Sequence, residues 1–142
     1  MRHLPLLCAS LLLLAVLFAP GPGLDCARPF LHSVGADGAH SLTVCRRAQW
    51  LPTMPGQGSD GPGWAVMRDA RDRIEGIVAI GALIEIGHPP RWGFGEVEIP
   101  LVAQFLYAPA MPPLPRPVAF LRERAWVLRA WIGAVPRSAD FR

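Results

Sequence analysis

Residues able to do chemistry are few in this chain, and each is weighed against its local pattern. Ser59 lies in Gly58-Ser59-Asp60-Gly61-Pro62-Gly63, which holds the letters of a serine nucleophile loop in the wrong order. A nucleophile elbow needs glycine two positions before the serine, and Gln57 stands there. No spacing nominates His32, His40 or His88 as the partner base. The segment reads as a turn-rich loop in which Asp60 caps backbone N–H groups. Glu96 and Glu98 share one strand face, ~6.5–7 Å apart at strand rise. Such a pair suits acid–base hydrolysis, but acids on the outer face of a half-buried edge strand also serve solubility. Asp69 and Asp72 lack the Asp-x-Asp-x-Asp-Gly order of a calcium loop. No catalytic, metal-ligating or cofactor-binding residue is assigned.

Cys26 and Cys45 are the remaining reactive pair. With His32 and His40 they give the spacing C-x5-H-x7-H-x4-C, which fits no common zinc pattern. In an oxidising compartment two thiols pair, and the sequence predicts a Cys26–Cys45 disulfide. It closes a loop of about 20 residues, worth ~3 kcal/mol by chain entropy.

That compartment is read from the N-terminus. Arg2 precedes an apolar run, Leu6 to Phe18, broken only by Ser10. The run suits an export signal and is short of the ~20 apolar residues of a membrane span. Gly21 and Gly23 are small residues suited to a cut before Leu24, whereas cuts after Ala19 or Gly21 meet proline. Residues 1–23 are therefore expected to be a signal peptide that carries Cys8 away. An uncleaved inner-membrane anchor is the alternative. Asp25 before Cys26 disfavours lipidation.

Composition narrows the rest. Of 142 residues, 14 are basic and all of these are arginine. Residues 24–108 hold seven arginines and nine acids, net −2, whereas residues 109–142 hold six arginines and two acids, net +4. The body is thus no basic nucleic-acid surface. Glycine (14) and proline (16) are frequent enough to predict short elements and many turns.

The elements that would position these side chains follow from period. Strands are predicted at 30–34, 40–46, 64–69 and 74–80, with 83–86 continuing the last after Gly81. Asp37-Gly38 is a tight-turn signal between the first two. Residues 96–107 alternate, with Val97, Ile99, Leu101, Ala103 and Phe105 on one face and Val102 on the other. Pro100 marks an edge or a bend there. The expected fold is mainly β, a small antiparallel sheet or sandwich of five to six short strands with one C-terminal helix. Residues 24–108 form the β-rich domain, 109–117 a Pro-rich linker and 118–142 a basic helical tail. Between Val118 and Ile132 a helix places Leu121, Ala125, Leu128 and Ile132 on one stripe, with Arg122 and Arg129 beside it. The remaining surface is apolar too, through Phe120, Trp126, Val127 and Trp131. Such a helix packs over the sheet, docks on a partner or lies on an anionic membrane. Trp50, Trp64 and Trp92 adjoin loops and are expected to anchor the core, an aromatic platform being the alternative.

Cys26, the Asp37-Gly38 hairpin, Pro55-Gly56-Gln57-Gly58-Ser59-Asp60-Gly61-Pro62-Gly63, the strand closed by Asp69, Trp92 and Val97-Glu98-Ile99 form a familiar order. Over residues 26–107 it resembles small uncharacterised exported proteins of Gram-negative bacteria. The chain departs from that pattern at Ala70-Arg71-Asp72-Arg73, where glycine is usual. The resemblance implies a periplasmic or surface location and a β-rich domain, and no reaction. The expected role is a non-enzymatic exported protein that binds a protein or envelope partner, an accessory or toxin-neutralising factor. An envelope hydrolase using Glu96 and Glu98 is the second reading, and membrane-surface attachment through residues 118–132 the third.

Overall fold

The computed structural model describes residues 4–48, 61–107 and 114–141. The chain is mainly β, with two antiparallel sheets and a C-terminal helix. Helix α1 (Leu4–Phe18) leads into strands β1 (Leu31–Val34), β2 (Ser41–Arg46), β3 (Gly63–Arg68) and β4 (Ile74–Ile80). These four pair in sequence order as one antiparallel meander. Strands β5 (Arg91–Gly93), β6 (Glu96–Ile99) and β7 (Ala103–Leu106) form a second meander of three. Helix α2 is Arg116–Trp131, and short 3-10 turns occupy Leu83–Glu85 and Ser138–Phe141.

Three layers result. One face of the four-stranded sheet presents Leu42, Val44, Ala65, Met67, Val78 and Ile80, which pack with Val97, Ile99, Val102, Ala103 and Phe105 of the second sheet. The opposite face presents Trp64, Val66 and Ile77, which pack with Leu24 and with Val127 and Ala130 of α2. Alternation along β3 feeds both cores, so every residue of that strand is buried. The sheets approach closely at Gly76, where a Cβ would lie 2.8 Å from the Phe105 ring. The β3–β4 register shifts after Met67, which pairs with Gly76 while Arg68 pairs with Ile74. Glu75 is the extra residue of this bulge.

The second sheet departs from the expected single strand over 96–107. Val102 N–H donates to Ile99 O at 2.9 Å, closing a turn with Pro100 second and Leu101 third. Pro100 bends the chain, and β7 folds back on β6. The alternation keeps its phase on either side, with Val97, Ile99, Ala103 and Phe105 buried, and is inverted only within the turn. Val102 is fully buried, whereas Leu101 is 71% exposed, the reverse of the faces expected. Seven strands therefore stand among the described residues where five to six were expected. The additional one, β5, follows the Gly87-His88-Pro89-Pro90 loop, and residues 83–85 form a 3-10 turn rather than a strand.

Leu101 has φ +62°, the left-handed conformation that costs a side chain ~1–2 kcal/mol. Glycine suits this turn position. Because Leu101 packs on nothing, Leu101→Gly is expected to stabilise. Relief of the strain, less the entropy glycine adds to the unfolded chain, leaves a net gain of about 0.5–1 kcal/mol. Urea unfolding of the two forms reads this as a raised midpoint with unchanged slope.

Candidate functional site

Three places concentrate polar or exposed apolar groups, and the N-terminal segment links two of them. Cys26 and Cys45 form a disulfide, with Cα atoms 5.7 Å apart. It pins the start of the domain to β2. Before it, Leu24 is only 2% exposed within the helix-side core. Trp64 Nε1–H donates to Pro22 O at 2.9 Å, Trp131 Nε1–H to Pro20 O at 3.0 Å and Arg124 Nη1–H to Ala19 O at 3.1 Å. Residues 19–24 are thus a strap across α2 and β3. After it, Asp25 pairs with the buried guanidinium of Arg68, which also donates to Asp72 O at 3.0 Å and Leu24 O at 3.5 Å. A cleft of about 490 Å³ opens here, with Cys26, His32, Ser41, Thr43 and Arg68 in its lining. His32 Nδ1 and Thr43 Oγ1 lie 3.0 Å apart on its floor. Arg68 spends its donors on the protein, so its first task is to fasten the segment around Leu24 and Asp25.

The second place is built on the β1–β2 turn. Gly38 takes φ +63° there, and Asp37 Oδ1 accepts from Ala39 N–H at 3.0 Å and His40 N–H at 3.3 Å. Asp37 Oδ2 lies 2.7 Å from His40 Nδ1, and Glu75 Oε2 lies 3.5 Å from His40 Nε2. Tyr107 stacks against the imidazole at 4.3 Å between centroids, and its hydroxyl donates to Gly93 O at 3.1 Å. Trp92 Nε1–H donates to Ser33 Oγ at 2.8 Å. An aspartate orienting a histidine is half of a nucleophilic triad, but a carboxylate occupies the side where a nucleophile would stand. The ring is 9% exposed, and the group clamps the turn of one sheet to the strands of the other.

This clamp has a pH signature. The hydrogen bond with His40, aided by the Ala39 and His40 amides, outweighs desolvation and holds Asp37 below the ordinary carboxyl value of 3.8. Burial works to raise Asp69, but the Arg73 amide and guanidinium and the Arg71 amide overcome it and lower this carboxyl too. Burial, then the charge of Asp37, raises the Tyr107 hydroxyl. A carboxyl depressed in the folded state adds stability above its unfolded value and loses it as pH falls through the folded value. Stability is expected to drop from about pH 4 downward, and the Asp37→Asn, Asp69→Asn double variant to show a shallower drop. Urea midpoints across pH 2–6 check this; parallel curves for the two proteins would sink it.

The third place is the outer surface of α2. The helix buries Val127 and Ala130 against the four-stranded sheet, and Ala119 is buried as well. The stripe recognised from the sequence faces the other way, with Leu121 59%, Leu128 45% and Ile132 69% exposed and Ala125 exposed between them. Val118 and Trp131, 48% and 55% exposed, widen it. Arg122 and Arg129 flank one edge at helical spacing. At the other edge the rings of Phe120 and Phe18 lie 6.2 Å apart, so the end of α1 sits beside the stripe.

The other residues named from the sequence scatter. Glu96 and Glu98 stand exposed on the outer face of the three-stranded sheet, where Gln104 Nε2–H donates to Glu96 at 3.0 Å. Asp69 receives both the Nε and Nη2 donors of Arg73, at 2.9 and 2.7 Å, and closes the 69–73 turn. Asp72, with φ +61°, takes the glycine-like position in it. The disulfide removes both thiols from any zinc set with His32 and His40. Trp64 is buried on the helix side and Trp92 half-buried on the other, so they share no platform. Ser59, Asp60 and Trp50 lie outside the described residues, as does most of the 109–117 linker; its last two residues begin α2. The strap and the clamp carry no motif. Only Asp37 and His40, three apart around a turn glycine, left a local trace.

The chain is thus a two-sheet β domain with a covering helix whose apolar stripe faces outward. Compared with protein-family models, curated proteins and solved structures, it matches none. Function has to be read from the site itself.

Proposed function

We propose that this is an exported accessory domain of a Gram-negative envelope whose role is binding, performed by the outer face of α2. The outward stripe of Leu121, Ala125, Leu128 and Ile132 carries the reading. Contiguous exposed apolar surface marks an interaction site, and here it lies on a helix whose other side already serves the core. The disulfide supports the exported location, since such bonds persist in oxidising compartments. The Asp37–His40 and Asp25–Arg68 pairs are engaged in holding the domain together, which favours binding over catalysis.

A photo-crosslinking residue at Ala125, compared with one at Gln104 on the far sheet, tests the reading in intact cells. Adducts at 125 and none at 104 are expected. Equal yields at both positions would refute a binding role for α2. Thiol trapping in the same cells is expected to find Cys26 and Cys45 inaccessible until reduction; labelling of both without reductant would remove the exported location.

A further inference from the structure

Resting on the reading of α2 as the binding face, we infer that its occupant is an anionic lipid surface, with α1 entering the same bilayer. Helix α1 exposes Leu7, Leu11, Leu12, Leu14 and Phe18, and no acid or base lies within it. Its 15 residues span about 22 Å at helical rise, short of a hydrocarbon layer of about 30 Å. No helix among the described residues is long and apolar enough to cross a membrane. A second lipid-facing element adds the contact that a short insertion lacks.

The strap puts the two elements side by side. Phe18 meets Phe120, and Ala19 and Pro20 are bound by Arg124 and Trp131 of α2. A bilayer that receives α1 is therefore within reach of the stripe. Charge agrees. Helix α2 carries four arginines and one glutamate, net +3. Arg122 and Arg129 flank the stripe, and the Trp131 ring, 55% exposed, adds aromatic surface at its other edge. Glu96 and Glu98 lie beyond the four-stranded sheet, on the side away from α2. Arg91 pairs with Glu98 across β5 and β6, so that far face carries two glutamates and one arginine, net −1, against net +3 on α2, and an anionic surface favours the α2 side.

The test uses the full chain with Cys8→Ser and a nitroxide attached at Ala125→Cys, or at Gln104→Cys as control. Unchanged circular dichroism and melting of each labelled protein establish that it is folded. Vesicles are phosphatidylethanolamine with one quarter phosphatidylglycerol. On binding, the label at 125 is expected to lose collisions with a water-soluble nickel chelate several-fold and gain collisions with oxygen. The label at 104 is expected to change neither. Arg122→Gln with Arg129→Gln is expected to weaken partitioning about thirty-fold at low salt. A label at 125 that stays as water-accessible as the one at 104, in vesicle-bound protein, overturns the inference. Spin–spin broadening at 125 without lipid also overturns it, because a second copy then covers the stripe. Protein adducts at 125 in cells, with no lipid shielding in vitro, would leave the binding role standing and remove only its lipid occupant.

Discussion

Converting Cys26 and Cys45 to alanine is expected to lower the unfolding free energy by about 3 kcal/mol. The bridge joins residues 19 apart. Without it the unfolded chain regains the freedom of a loop of about 20 residues, which sets that magnitude. The folded side adds a consequence of its own. Cys45 is fully buried in β2, whereas Cys26 is only partly covered, so the bond runs from the core outward to the entering chain. Once it is gone, the Asp25–Arg68 pair and the packing of Leu24 must hold the segment alone. Arg68 lies at the edge of the cleft, so the loss is expected to spread there first. Faster amide exchange at Thr43 and Arg68 than at Val97 would report it. In a domain of ordinary stability, 5–15 kcal/mol in total, the loss is a large share. Thermal melts with and without reductant give the readout. Overlapping melts of the wild type and the double variant would show that the bridge is incidental, and one support for export would go with it.

The sequence makes the four-stranded sheet legible because β2 alternates, β3 and β4 are short apolar runs, and its turns carry Asp37-Gly38 and Asp69-to-Arg73 signals. Strand ends there agree with expectation to within one residue, apart from the continuation expected at 83–86. The second sheet is harder to read for a physical reason. A period of two cannot tell one long strand from two strands joined by a tight turn, except at the turn residues. Pro100 was the visible sign, but Leu101, a poor residue for left-handed backbone, concealed the reversal. Strand β5 has only three residues and depends on pairing with β6, so little local pattern announces it.

The helix is legible as a helix, yet its buried side is not. Both faces are apolar, and the larger side chains make the more obvious stripe. The fold instead places Val127 and Ala130 against the sheet. Small side chains let the helix approach a surface already filled by Trp64 and Ile77. The cluster of Asp37, His40, Glu75 and Tyr107 was unreadable for another reason. It unites residues up to 70 positions apart through a bulge and a sheet–sheet contact. Only the short Asp37-to-His40 step is local.

The strap bears directly on the cut expected after Gly23. A chain beginning at Leu24 is expected to be about 1–3 kcal/mol less stable than one beginning at Pro20, from loss of a hydrogen-bond acceptor and of the cover over Leu24. Trp64, 1% exposed, would lose the Pro22 carbonyl that accepts its indole N–H. Trp131 would lose Pro20, a smaller effect at an exposed site. The new terminus would be Leu24, whose carbonyl accepts from the Arg68 guanidinium. Removing residues 20–23 also uncovers Leu24, whose side chain lies against Gly21. Scanning calorimetry of the two oxidised truncated proteins is expected to separate their melting temperatures by about 10 °C. Coincident melts would mean that residues 20–23 add nothing to the fold, and a cut after Gly23 would then cost the domain nothing. A clear gap would place the strap within the mature domain and move the boundary of any removable signal to Ala19 or earlier. It would also strengthen the case that α1 stays attached, because Pro20 disfavours cleavage directly before it and the remaining upstream residues belong to the helix. Retention of α1 is what sets the outward stripe of α2 beside a bilayer.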